Sequence, residues 1–122
     1  AYLDYNYDGC LDLVVTNLGG PLVIFENRCL TGNNWIAIST IGTASNRDGI
    51  GARITAVTGD SVQIREVLAG TSQMSQDTLN VPFGLGTAKA IDQLIIRWPS
   101  GTVQTINDVA VNQLLTVTEP VD

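Results

Sequence analysis

Three carboxylates and one amide are spaced through the first twelve residues: Asp4-Tyr5-Asn6-Tyr7-Asp8-Gly9-Cys10-Leu11-Asp12. This D-x-N-x-D-G-x-x-D pattern suits a hard cation. Ca²⁺ takes about six to eight oxygens at roughly 2.3–2.6 Å. Alternate residues of a tight loop aim Asp4, Asn6 and Asp8 at one point, and Gly9 permits the sharp turn. The carbonyl of Cys10 can then point inward, and Asp12 supplies the last carboxylate from the start of a strand. The spacing predicts a Ca²⁺ site on Asp4, Asn6, Asp8, Cys10 and Asp12. Mg²⁺ suits it less, because it keeps its waters. An EF-hand would need an acid at loop position twelve, which is Val15, and a following helix, where residues 11–15 read as strand. The plainer alternative is a surface turn rich in Asp and Asn, whose three carboxylates repel one another without an ion. The chain fills every ligand position, so the ion's expected role is structural. At a Kd of about 0.1 mM and about 1 mM Ca²⁺, mass action adds roughly 1.4 kcal/mol of stability.

Other chemistry is sparse. Histidine is absent, which removes the usual general base and His-based zinc sites. Asp48, Asp60, Glu66, Asp77, Asp92 and Asp108 are the carboxylates left for a small hydrolase. Most stand in turns or at strand ends, where Asp commonly forms the turn, so no enzyme is expected. Asn46, Arg47 and Asp48 form a polar cluster able to hold a sugar or peptide. The competing reading is a turn whose Asn and Asp bond their own backbone while Arg47 pairs with Asp48. Arg97 beside Trp98 is read the same way, with Trp98 in the core and Arg97 in solvent. Gly49 and Gly51 lack the strand-to-helix switch of a phosphate loop.

The elements that must position these residues are strands. No segment carries apolar residues at helical spacing over three turns. Short β-branched and apolar runs recur between Gly, Asn, Asp and Pro. Nine strands are expected, at 11–16, 22–27, 35–40, 52–57, 62–68, 78–82, 93–98, 103–106 and 114–118. Turns are expected at 17–21, 31–34, 45–49, Gly59-Asp60 and 99–101, with hairpins at Gly59-Asp60 and Trp98-Pro99-Ser100-Gly101. The expected core is Ile36, Ile38, Ile54, Ile64, Leu94, Ile96, Trp98, Val103 and Val117. Arg65 and Glu66 break their strand's alternation, which suggests a bulge. The fold class is all-β, an antiparallel sandwich or barrel-like module with an N-terminal calcium-loop hairpin. Residues 1–30 form the metal loop and hairpin, and residues 31–122 the main β unit. A lone hairpin is marginal in water, so it must pack on the rest or on a neighbour.

The 122 residues fit one modest core, and 44% hydrophobic with 15% charged residues is a globular composition. Twelve acids against six bases give −6. That charge disfavours nucleic acid and anionic membrane. No apolar run approaches a membrane span. Residue 1 is Ala, and the chain reads as a piece of something longer. Cys10 and Cys29 permit one disulfide. If a two-residue turn sits at Gly19-Gly20, positions summing to 39 face each other and the two cysteines come within range. Two unpaired small apolar side chains are the alternative.

Residues 2–17, with Gly20-Pro21-Leu-Val-Ile-Phe-Glu-Asn27, resemble a VCBS/FG-GAP repeat, a propeller blade with a Ca²⁺ loop between strands. About half a blade is present. Asp4, Asn6, Asp8, Cys10 and Asp12 fall on the ligand positions of that family. The remainder resembles the ASPIC/UnbV domain, found after such repeats in cartilage acidic protein and in bacterial secreted proteins. Three stretches in order carry this likeness: 45–53, then Ser75-Gln76 with Pro82-Phe-Gly-Leu-Gly86, then 95–104. The resemblance implies an extracellular, cell-surface or periplasmic setting and no established activity. The expected function is a non-catalytic, calcium-stabilised binding or adhesion module, its partner a glycan or an extracellular protein. The alternatives are a structural cap on a propeller and a carboxylate hydrolase. Open strand edges of a part blade also predict a weak homodimer.

Overall fold

A computed structural model describes residues 1–29, 32–71 and 73–121. The expected boundary at residues 30 and 31, and the first residue of the turn at 31–34, lie outside the described residues. The elements are β1 (Tyr2–Leu3), β2 (Asp12–Val15), β3 (Val23–Phe25), β4 (Asn34–Ile41), β5 (Arg53–Thr58), β6 (Ser61–Glu66), β7 (Val81–Gly86), β8 (Ala90–Arg97), β9 (Val103–Ala110) and β10 (Leu114–Thr118). There is no helix among the described residues, and the all-β expectation holds.

Three sheets result: β1-β2-β3, β10-β4-β7 and β6-β5-β8-β9. The last two face each other like a sandwich, with no closed barrel. Their inner faces alternate as a half-buried strand must. Ile36 and Ile38 of β4, Val81, Phe83 and Leu85 of β7, and Val117 of β10 meet Ile54 and Ala56 of β5 and Leu94 and Ile96 of β8. Full burial of each large side chain contributes about 1.5–3 kcal/mol. All pairings are antiparallel except β10 with β4, where Leu114 pairs with Ala37 and Thr118 with Ile41.

Both expected hairpins form. Thr58 pairs with Ser61 around Gly59-Asp60, and Gly59 has φ +55. The Gly101 N–H donates to the Trp98 carbonyl at 2.9 Å. Trp98 is buried and donates its indole N–H to Gln104 at 3.0 Å, while Arg97 is exposed.

The structure corrects several expectations. Ile64 and Val103 are half exposed, not core. They lie on the face of the four-stranded sheet opposite to the core. The ladder between β5 and β6 runs in register through Arg65 and Glu66, so no bulge lies there. The irregularity falls instead between Asn34 and Trp35. The first hairpin closes through the longer loop 16–22, so Leu13 faces Phe25 and Val15 faces Val23, one residue off the expected register. The strand expected at 78–82 begins at Val81.

Candidate metal centre

The loop 4–11 joins β1 to β2, and its shape follows from two backbone positions. Gly9 has φ +88 and Tyr7 φ +59. Gly9 is required for a second reason, since a Cβ there would overlap the Trp35 indole. The loop therefore lies flat against β4. It is tied on its other side by the Cys10–Cys29 disulfide, whose Cα atoms are 6.0 Å apart. Although the expected register around the hairpin is wrong by one, the two cysteines sit beyond the paired residues, where the chain can still bring them together.

The carboxylates turn inward onto the loop's own amides. Asp4 accepts from the Asp8 and Gly9 N–H groups at 3.1 and 2.9 Å. Asp8 accepts from the Cys10 N–H at 2.8 Å and from the Asn6 amide at 2.9 Å. Asp12, fully buried, accepts from the Tyr5 N–H at 3.1 Å and the Asn27 N–H at 2.8 Å. Asp12 thus binds the loop to the strand that follows it and to the end of β3. The Glu26 carboxylate, 3.4 Å from the Tyr5 hydroxyl, pushes the Tyr5 pKa up, with desolvation and the charges of Asp12 and Asp8 adding to it. The surroundings are anionic. The ion pair of the described residues, Arg28 with Glu26 at 3.4 Å, lies outside the loop.

The donor set is oxygen throughout, the chemistry that Ca²⁺ requires, and each carboxylate oxygen keeps a lone pair beyond the N–H it accepts. No three acidic, Cys or His side chains among the described residues are gathered closely enough to hold an ion unaided. In kind, the side-chain oxygens of Asp4, Asn6, Asp8 and Asp12 suit Ca²⁺.

Asn46, Arg47 and Asp48 occupy the loop between β4 and β5. The Asn46 side chain is spent on Ile50, accepting from its N–H and donating to its carbonyl, both at 2.8 Å. Arg47 and Asp48 are exposed. They form no ion pair with each other, which the turn reading had expected. Their backbone does the holding: the Thr40 hydroxyl donates to the Asp48 carbonyl at 2.7 Å, and the Gly42 N–H to the Arg47 carbonyl at 2.9 Å.

Sequence reasoning missed Glu119. Its carboxylate is buried just past β10, inside the cradle made by the start of that same loop. One oxygen accepts from the Thr43, Ala44 and Ser45 N–H groups at 2.8, 3.0 and 2.8 Å. The other accepts from the Ser45 and Ser100 hydroxyls at 2.9 and 2.6 Å. Burial pushes its pKa up, but the bonds from Ser100, Ser45 and Thr43 outweigh burial and leave it at about 2. Three successive N–H groups forming such a concavity favour an anion. Here the chain supplies its own. The signal available was slight: one Glu after an apolar strand, 19 residues from Ser100 and over 70 from Thr43, Ala44 and Ser45.

No curated protein matches the chain significantly. The family model described as ASPIC and UnbV matches residues 42–122. The match takes in the cradle, both main hairpins, β5 to β10 and Glu119, and it covers well over half of the sequence; the chain belongs to the ASPIC and UnbV family.

Proposed function

We propose that the chain is a non-catalytic, Ca²⁺-stabilised binding or adhesion module of a larger extracytoplasmic protein, its first 30 residues part of a VCBS/FG-GAP-like blade. The observation that carries this is the loop 4–12: oxygen donors only, folded by Gly9 against Trp35 and held by a disulfide. The disulfide accords with an oxidising compartment. Absence of histidine and an Asp92 side chain engaged by the Gly59 N–H at 2.6 Å weigh against catalysis. Calorimetric titration with CaCl₂ tests the reading. The expected result is one site with a Kd of about 0.1 mM and a melting temperature raised by about 5 °C. No heat of binding, with melting untouched by a chelator, would overturn it.

One observation favours a structural cap as the second reading. Tyr2, Leu13 and Phe25 share one face of the first sheet by register, and all three are largely exposed. Such a face suits packing on another blade, and its edges β1 and β3 suit a weak homodimer, detectable by sedimentation at high concentration. Saturable binding on a glycan or matrix-protein array would favour adhesion over the cap.

A further inference from the structure

A cleft of about 600 Å³ opens beside β6, with Ile64, Arg65 and Glu66 on one wall and Leu79, Val81 and Pro82 on the other. We infer that this cleft takes an extended peptide, acidic on one face and apolar on the other, which adds as a strand to the free edge of β6.

Backbone geometry identifies the occupant as a strand. β6 ends the order β6-β5-β8-β9 and carries neither Pro, Gly nor bulge. The two-residue turn makes Thr58 and Ser61 a bonded pair, and bonding alternates along the ladder. Gln63 and Arg65 therefore bond β5, while Val62, Ile64 and Glu66 point their N–H and C=O groups outward. A row of open donors and acceptors is a template for another chain. The facing strand β7 is closed to pairing: Pro82 has no N–H, and the Gly84 carbonyl accepts from the Gln63 side chain at 2.7 Å. β9, the other end of the sheet, has Asp108 at φ +54 within it. Of β6, β7 and β9, β6 is the regular edge left unguarded.

Side chains set the chemistry. Arg65 lies on the inner face, its guanidinium 5.5 Å from the Phe83 ring centroid, and forms no ion pair among the described residues; Arg53, which also lines the cleft, stands on the outer face across the ladder from Glu66. The Asp77 carboxylate, on the opposite wall, is already spent on the Tyr2 N–H at 3.0 Å and the Thr71 hydroxyl at 2.8 Å. Of the peptide residues flanking the one opposite Ile64, one meets Arg65, where a carboxylate is favoured, and the other meets Gln63, whose amide already donates to the Gly84 carbonyl. The residue opposite Ile64 meets a half-exposed apolar side chain. A second copy paired about Ile64 would set Arg65 against Gln63 and leave both arginines unneutralised, so charge favours a foreign acidic strand. None of the calcium-loop ligands enters this inference.

The test uses the whole disulfide-bonded chain with fluorescein-labelled Val-Glu-Val-Glu-Val-Glu-Val, its Lys counterpart, and the Glu peptide N-methylated either on its Val or on its Glu residues. In an antiparallel addition the Val N–H groups face β6. Expected are saturable anisotropy with the Glu peptide, at least tenfold weaker binding of the Lys and Val-methylated peptides, and retained binding of the Glu-methylated one. Amides of Ile64 and Glu66 should gain exchange protection, and Arg65→Glu should reverse the charge preference. Equal binding of all four peptides, no binding at millimolar concentration, or protection of Ile64 by self-association alone would overturn the inference.

Discussion

Replacing both Cys10 and Cys29 by Ser tests whether the N-terminal segment folds as one unit with the main sheets. The disulfide closes a loop across a sequence separation of 19. In the chain-entropy treatment that crosslink removes about 11 cal/mol/K from the unfolded chain, or about 3 kcal/mol at room temperature. The whole amount reaches the global stability only if the N-terminal sheet unfolds together with the rest. The structure provides three ties that couple them: Gly9 against Trp35, the Tyr2 N–H on Asp77, and the Thr78 N–H on the Tyr2 carbonyl at 3.2 Å. With an m-value of about 1.5 kcal/mol/M, the urea midpoint should fall by about 2 M, and the melting temperature by about 10 °C. Measurements belong in chelator, so that a change in metal binding adds nothing. Circular dichroism and tryptophan emission should move together. A midpoint shift below about 0.5 M, or Trp35 and strand signals that separate, would refute the reasoning and show a segment that melts alone.

Gly9→Ala should cost about 2–4 kcal/mol, from a left-handed φ and overlap with Trp35, and should red-shift tryptophan emission as the loop lifts from β4. Glu119 is held at about 2 against an ordinary 4.5, so its contribution is complete above pH 4.5 and is lost as pH falls towards 2. Glu119→Gln should therefore melt lower than the parent at pH 7, and the gap should shrink between pH 4.5 and 2; a gap constant with pH contradicts the cradle. Leu94→Ala should cost about 3 kcal/mol and Ile64→Ala less than about 1 kcal/mol by urea unfolding, since only the first faces the core.

The local rules read well from sequence and the distant ones poorly. Gly59-Asp60 and Trp98 to Gly101 announced their hairpins because turn chemistry is written in adjacent residues. The bounds of β10 were legible for the same reason. Its parallel pairing with β4 was not, because a partner 77 positions away leaves no local mark. β1 escaped notice since two residues form a strand only when β2 is beside them. Ile64 and Val103 misled because alternation shows that a strand has two faces, not which face an end strand turns inward. In the metal loop the residue types, spacing and turn glycine were all readable. The Trp35 face that pins Gly9 was not, nor was the buried Glu119, four of whose five donors come from Thr43, Ala44 and Ser45, over 70 residues away.

The parallel contact of β10 with β4 also orders events during synthesis. β4 is made before β10 and waits with one flank open until residues 114–118 have been synthesised. The Thr43–Ser45 cradle likewise has no anion to enclose until Glu119 arrives. Until then the sandwich is a half-shut clasp, its apolar interior accessible to chaperones or to neighbouring nascent chains. A chain cut before residue 114 would keep that clasp ajar.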